Sequence, residues 1–377
     1  MNQPLRIGVV GLGMGIHHAM ACLDRPEVEL VAIAEPQVAR LDRLYELSEK
    51  RLGTAALTQA KALTRYDDYQ TMVREARLDA ITLALPTAIH YEASLWCLRQ
   101  GLHVLCEKPP TTTAAEMQEI VATAEERGLA FAYVRQQRFE PHKFAARELA
   151  VRGDLGTLSH AESHWLRSRN IPWRQGWGVN KSQGGGVLLD LGIHTIDDAW
   201  FVMGNPRPVS AYAVMHTDFQ FLAEKRDDMR FPYDADDLTV GIIRFENGAS
   251  LTTSMSFAGN RVSPQDVGTD GVVESSEWQE LGVYGSQAGV DVQKKRLVEH
   301  HDAGVTVSDL SIPAHLADMP TGFSGLVADF AQAILEQRQP LNCAVQAWQL
   351  MQMLDALRES AETGVSVTIA EENMALC

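Results

Sequence analysis

The stretch LRIGVVGLGMGIHHAMACL, residues 5–23, decides how the first third of the chain folds. Its β-branched run from Ile7 to Val10 reads as a strand, which passes through Gly11, Gly13 and Gly15 into helix-compatible residues. A second apolar run, VELVAIAE (28–35), reads as the next strand and stops at Glu35. Strand, glycine turn, helix and strand make a βαβ unit of roughly thirty residues, the size of a dinucleotide-binding half. Gly11 permits the tight turn and Gly13 lets backbone approach a pyrophosphate, while Met14, Gly15 and Ile16 open a helix whose free N–H groups face it. Glu35 accepts hydrogen bonds from a ribose diol. The spacing departs from G-x-G-x-x-G, because Ile16 stands where the third glycine belongs and the chain has Gly15 instead. A carboxylate at 35 repels a 2′-phosphate, so NAD is expected over NADP, with Arg40 close enough to keep NADP open.

The alternation continues outward. LDAITLALP (78–86) reads as a buried strand, HYEASLWCLRQG (90–101) as a helix stopped by Gly101, LHVLCE (102–107) as a strand and LAFAYV (129–134) as another. Thr113 and Glu116 form a T-x-x-E capping box that opens a helix running through Arg127 to Gly128. Strands alternating with helices predict a doubly wound parallel sheet whose ligands lie at the carboxyl ends of its strands. Leu85, Pro86 and Thr87, with His90 just beyond, follow one such end, and Glu107 and Lys108 follow another. Both groups are expected to face the cofactor.

Beyond about residue 150 the pattern changes. TLSHAESHWLR, PVSAYAVMHT, DLTVGIIRF, ASLTTSMSF and LGVYG look like strands with few helices between them, and Asn247-Gly248 is a hairpin signal. A largely antiparallel sheet with one covered face is expected, an α+β arrangement. The exception is SQGGGVLLDLGIHTIDDAWFVMG (182–204), in which Asp190 and His194 stand four residues apart among apolar neighbours. On a helix such a pair shares one face. A buried row of ionisable groups is unfavourable unless it is paired or functional.

A chain of 377 residues exceeds one ordinary core, so two domains are expected, 1–135 and 136–377, with helices around 322–362 returning toward the first. With 45% hydrophobic and 22% charged residues the composition is that of a globular protein. A net charge of −16 without a basic cluster argues against nucleic acid as a partner. No apolar run is long enough to span a bilayer and no signal-peptide pattern opens the chain, so no membrane partner and a cytoplasmic location are expected. Cys22, Cys97, Cys106, Cys343 and Cys377 are scattered and never spaced as CxxC, so reduced buried thiols and no metal site are expected.

GLGMG followed by His18, LALPTAIH, CEKPP, QRFEP (137–141), GGGVLLDLGIHTID, RFENGA and GFSGLVADFAQAILEQRQPL occur in that order. In these the chain resembles the Gfo/Idh/MocA oxidoreductases, the glucose-fructose oxidoreductase and inositol dehydrogenase group. The resemblance implies an N-terminal Rossmann domain and a C-terminal open mixed sheet. One face of that sheet carries substrate and the other commonly joins a homodimer or homotetramer. It assigns Lys108 of E-K-P, Asp190 and His194 to the reactive group, with Asp197 behind them. The implied activity is hydride transfer between NAD(P) and a secondary hydroxyl or keto group of a sugar or polyol. A histidine suits the hydroxyl proton at neutral pH, and a fixed ammonium suits the developing alkoxide. Asp190 either contacts substrate or orients the imidazole. One X-Pro bond at 109 or 110 is expected to be cis. Arg138, Trp173 and Lys181 are expected to bind substrate, and Tyr133, Arg135, His164 and Trp177 to border the crevice. Open alternatives are an NAD-dependent glycoside hydrolase, a dehydratase-type reaction on a nucleotide sugar and a non-catalytic cofactor sensor.

Overall fold

The computed structural model of the protein describes residues 3–262, 266 and 276–371. These form two compact units, one of residues 3–139 and 320–348, the other of the described residues of 140–319 and 349–371. Among the described residues no helix is long and apolar enough to cross a membrane.

The first unit is built on β1 (Leu5–Val10), β2 (Val28–Ala34), β3 (Thr64–Tyr66), β4 (Ala80–Leu83), β5 (His103–Cys106) and β6 (Phe131–Tyr133), in the order β3-β2-β1-β4-β5-β6. Every adjacent pair is parallel. Helices cover both faces, which is why Ile7, Val9, Ile81, Leu83, Val104 and Leu105 are all fully buried and the central strands read as unbroken apolar runs. The order reverses between β1 and β4, and the loops leaving those two strands therefore flank the position where such sheets take ligands. The capping box of Thr113 and Glu116 is formed, and the helix it opens, Ala114–Arg127, ends at a left-handed Gly128. Residues from the far end of the chain complete this unit. On helix Gly322–Glu336, Phe323 stacks on His17 with ring centroids 5.3 Å apart, and the Ser324 hydroxyl donates to Asp24 at 3.1 Å.

The second unit contains β7 (Leu158–Arg167), β8 (Pro208–His216), β9 (Leu238–Phe245), β10 (Ser250–Ser256), β11 (Glu277–Gly285), β12 (Ala288–Asp291), β13 (Arg296–His301), β14 (Gly304–Asp309) and β15 (Val367–Thr368). Their order is β14-β13-β12-β11-β7-β10-β9-β8-β15, with β7 and β10 parallel and the other pairs antiparallel. The mixed, mostly antiparallel sheet matches the sequence reading, and Asn247-Gly248 turns β9 into β10. Strands β12 to β14 went unread in the sequence, since β14 is exposed along its whole length and carries no buried alternation. Helix Ile193–Val202 covers one face of β7, β10 and β11. On the other face Tyr212, Val214, Val240 and Ile242 are exposed.

Segment 182–204 is not one uninterrupted α-helix. Leu188–Gly192 is a π-helical turn that leads into the α-helix Ile193–Val202. Single π turns of this kind are frequent at functional sites.

Cys22, Cys97 and Cys106 are free and buried, and burial pushes the Cys22 and Cys97 thiols up to about 12. Cys343 differs from the expectation of reduced thiols, being disulfide-bonded, and Cys377 lies outside the described residues.

Candidate functional site

In the first unit the glycine loop follows β1. Gly11 has φ +77°, and a Cβ there would stand 2.5 Å from the Ala84 carbonyl oxygen, so the close approach of the loops after β1 and β4 requires glycine. At Gly13 an added Cβ would meet no atom within 4 Å, which leaves that side of the loop open to a ligand. At Gly15, the first residue of helix Gly15–Asp24, it would stand 3.0 Å from Ala84 Cβ and 3.3 Å from Val9. Gly15 thus brings the helix close to the sheet, the task of the displaced third glycine. Met14 is exposed, whereas the Ile16 side chain is core, leaving only its backbone for a phosphate.

Glu35 is buried and ties the end of β2 to this loop. Its Oε2 accepts from Leu12 N at 2.7 Å and from Arg40 at 3.0 Å, while Oε1 accepts from Gln37 N at 2.8 Å. A carboxylate has about four acceptor positions, and the one remaining lies on Oε1.

The second loop is centred on Lys108, and the Lys108-Pro109 bond is cis. Burial by itself raises the Glu107 carboxyl. The His18 ring on Oε1 (3.0 Å), the Lys108 charge and the Lys108 backbone N–H on Oε2 (3.0 Å) outweigh it and hold Glu107 below the usual carboxylate range. His90 is buried, with its ring nitrogens 2.7 Å from the Pro109 and Leu85 carbonyl oxygens. It braces the ends of β4 and β5 against each other, and burial lowers its pKa despite those carbonyls. Its side chain supports the Lys108 turn. Thr87 is buried and opens a short 3₁₀ turn after Pro86.

In the second unit Asp190 belongs to the π turn and His194 to the helix that follows, one turn apart. The start of this segment is pinned by Asp236, whose backbone carbonyl accepts from Val187 N at 2.9 Å and whose Oδ2 accepts from Leu188 N at 2.9 Å and from the Thr239 hydroxyl at 2.8 Å. Burial raises the Asp236 carboxyl above its ordinary value. Gly186 must be glycine, because at φ +111° a Cβ would fall 2.2 Å from Asp236 Oδ1. The glycine run therefore lets the loop holding Asp236 close over the helix start.

Strands β7 and β11 supply three neighbours that the sequence reading missed, Trp165 and Arg167 from β7 and Glu277 from β11. The Trp165 ring lies 5.8 Å from that of His194, and Trp165 Nε1 donates to Glu277 at 3.0 Å. Arg167 approaches Asp190 at 3.9 Å, pairs with Glu277 at 3.0 Å and lies 5.2 Å from the Trp165 ring. The signal was the period-2 alternation of HAESHWLR, which sends Trp165 and Arg167 to the helix-covered face and His160, Glu162 and His164 to the other.

His164 therefore does not accompany His194. Its Nδ1 lies 2.7 Å from the Ser254 hydroxyl and its ring stacks on Trp278. Arg138 is fully buried in the first unit, donating to Tyr133 Oη at 2.7 Å, the Leu341 carbonyl at 3.2 Å and the Gln346 amide oxygen. It fastens residues 341–346 to β6. Arg135 is equally buried. Trp173 packs edge-on against Tyr233 with Arg226 over its ring, Arg174 lies over Trp177, and Lys181 begins a 3₁₀ turn whose N–H donates to Asp234 at 2.8 Å. Asp197 is buried, and its neighbour Asp198 pairs with Lys143 at 2.7 Å.

A parallel sheet with a glycine-turned first crossover and an acid closing its second strand defines a dinucleotide-binding Rossmann unit. The model of the oxidoreductase family with an NAD-binding Rossmann fold matches residues 5–134, and that of the GFO/IDH/MocA C-terminal domain matches 144–290, so the chain belongs to the Gfo/Idh/MocA family. It is 29% identical over 380 residues to the D-glucoside 3-dehydrogenase of Escherichia coli strain K12, covering 98% of each chain. It is 24% identical to a D-xylose 1-dehydrogenase (NADP(+)) of Haloferax volcanii, covering 97% of this chain and 100% of that one. The solved structure of an oxidoreductase domain protein from Kribbella flavida shares the fold at 22% identity and a TM-score of 0.77, over 98% of this chain and 100% of that one.

Proposed function

We propose that the protein moves hydride between NAD and a secondary hydroxyl or keto carbon of a sugar, polyol or related compound. The observation carrying this reading is the Asp190–His194 pair on a helix start pinned by Asp236, in a chain whose other unit has a glycine loop closed by Glu35. Family relatives named as dehydrogenases of a glucoside and of xylose support the substrate class.

Gly11, Gly13 and the first backbone N–H groups of helix Gly15–Asp24 hold the pyrophosphate, and Glu35 takes a ribose hydroxyl on Oε1. The bound nicotinamide supplies the hydride acceptor. His194 takes the hydroxyl proton in oxidation and returns it in reduction. Lys108, whose turn is braced by Glu107 and His90, donates to the oxygen as negative charge develops there. Asp190, with Arg167 beside it, positions the imidazole or a neighbouring substrate hydroxyl. NAD is preferred, because Glu35 repels a 2′-phosphate and engages Arg40. Self-association through the sheet face bearing Tyr212, Val214, Val240 and Ile242 belongs to the same reading.

The test is a panel of glycosides, free sugars and inositols with NAD and NADP, followed by the absorbance of the reduced cofactor. Lys108→Ala and His194→Ala should each lower kcat by at least about a hundredfold with circular dichroism unchanged. Wild-type turnover in both variants would overturn the assignment.

A further inference from the structure

The face of the second sheet opposite the His194 helix carries a cluster that the proposed reaction does not use. Glu162 and His164 are alternate residues of β7, and Glu280 on β11 pairs directly across from His164. One ligand atom from each lies within 4.8 Å of the others, with His164 Nε2 4.0 Å from Glu162 Oε2. All three are only partly buried in the single chain, so an ion can reach them before a second copy covers this face of the sheet.

We propose that Glu162, His164 and Glu280 form a binding site for a divalent first-row transition cation of the Zn²⁺ or Mn²⁺ kind. An imidazole with two carboxylates suits such ions better than Mg²⁺ or Ca²⁺, which take oxygen ligands. A cation about 2.0–2.2 Å from each ligand holds ligand atoms about 3–3.5 Å apart, so modest side-chain rotation closes the triad. The surroundings orient two of the ligands. The Ser254 hydroxyl at 2.7 Å occupies His164 Nδ1 and leaves Nε2 for the metal, and the Tyr284 hydroxyl donates to Glu162 Oε1 and leaves Oε2 facing the cluster. Outer partners of this kind are the usual means of fixing a ligand's orientation.

Glu280 has no hydrogen bond or ion pair among the described residues. Burial first, then the like charges of Glu162 and Asp291, push its carboxyl up, against the opposing charges of Lys294 and Arg261. A cation would relieve that repulsion. Three protein ligands leave the remaining positions to water or to a donor from a bound molecule. The cysteine spacing gave no hint of this site, because its ligands come from strand alternation and cross-strand pairing.

The test uses the full-length protein stripped with a chelator and desalted, then titrated calorimetrically with Zn²⁺, Mn²⁺ and Mg²⁺ and melted with and without each. One Zn²⁺ per chain should bind, Mg²⁺ far more weakly, with a rise in Tm on Zn²⁺ addition. Glu280→Gln and Glu162→Gln should each weaken Zn²⁺ binding by more than about tenfold. Both variants keep side-chain shape and remove like-charge repulsion, so their metal-free melts should be no lower than that of the wild type. Equal Zn²⁺ binding by wild type and both variants, which would place the metal on thiols or other histidines, overturns the proposal, as does the absence of binding below millimolar Zn²⁺.

Discussion

Replacing Gly11 and Gly13 one at a time by alanine separates folding from nucleotide binding within a single loop. At Gly11 the new Cβ would stand 2.5 Å from the Ala84 carbonyl oxygen, on a backbone with φ +77°. Carbon to oxygen contacts are ordinarily about 3.3–3.6 Å, so the loops after β1 and β4 must part by most of an ångström. The left-handed conformation costs an alanine about 1–2 kcal/mol, and overpacking against a fixed carbonyl adds about 1–3 kcal/mol. Gly11→Ala should therefore lose about 2–5 kcal/mol of stability, read as a lower urea midpoint at unchanged slope. At Gly13 the methyl meets nothing within 4 Å and φ is not in the left-handed range, so stability should stay within about 0.5 kcal/mol of wild type. If backbone at Gly13 approaches the pyrophosphate, that methyl occupies the ligand's place. NAD affinity, measured by calorimetry, should then fall by at least about tenfold, or ~1.4 kcal/mol. A Gly13→Ala protein that binds NAD as the wild type does would refute the placement of the phosphates, and an undiminished urea midpoint for Gly11→Ala would refute the steric argument.

Glu35→Ser removes the carboxylate and frees Arg40 from its 3.0 Å ion pair, so the ratio of kcat/KM for NADP over NAD should rise by at least about tenfold; an unchanged ratio would mean that residue 35 does not face the adenosine ribose. Asp236→Ala leaves Leu188 N and the Thr239 hydroxyl without their acceptor and should cost about 1–3 kcal/mol in denaturation, whereas Asp236→Asn, which keeps an acceptor oxygen and needs no buried charge, should retain most of the stability. His142 is held neutral by burial and by Lys143 and Lys295, its pKa lowered from 6.5 to about 4. Its contribution is therefore present above pH 6.5 and lost as pH falls through about 4, because the unfolded chain takes up a proton there that the folded chain refuses. After discounting for its partial exposure, His142→Gln should remove about 1 kcal/mol of the wild-type difference in stability between pH 7 and pH 4, and identical pH profiles would contradict this.

Local chemistry made much of the first unit readable in the sequence. A strand buried on both faces must be an apolar run, a capping box must open a helix, and glycines where backbone crowds backbone leave a spacing that survives translation into structure. Tertiary packing was needed to give those residues their tasks. Gly15 could be seen to depart from the usual spacing, but only the 3.0 Å approach to Ala84 shows it in the helix-packing role. His90 and Arg138 looked like ligand contacts because polar residues at loop ends usually are. In the fold His90 lies between the carbonyls of Leu85 and Pro109, and Arg138 donates to oxygens of the 341–346 segment. Asp190 and His194 stood out as an ionisable pair four residues apart, whereas Trp165, Arg167 and Glu277 did not. Sequence spacing encodes neighbours along one element. Which strand lies beside which, and hence which side chains from distant segments meet, is decided by burial and hydrogen-bond satisfaction over the whole sheet at once.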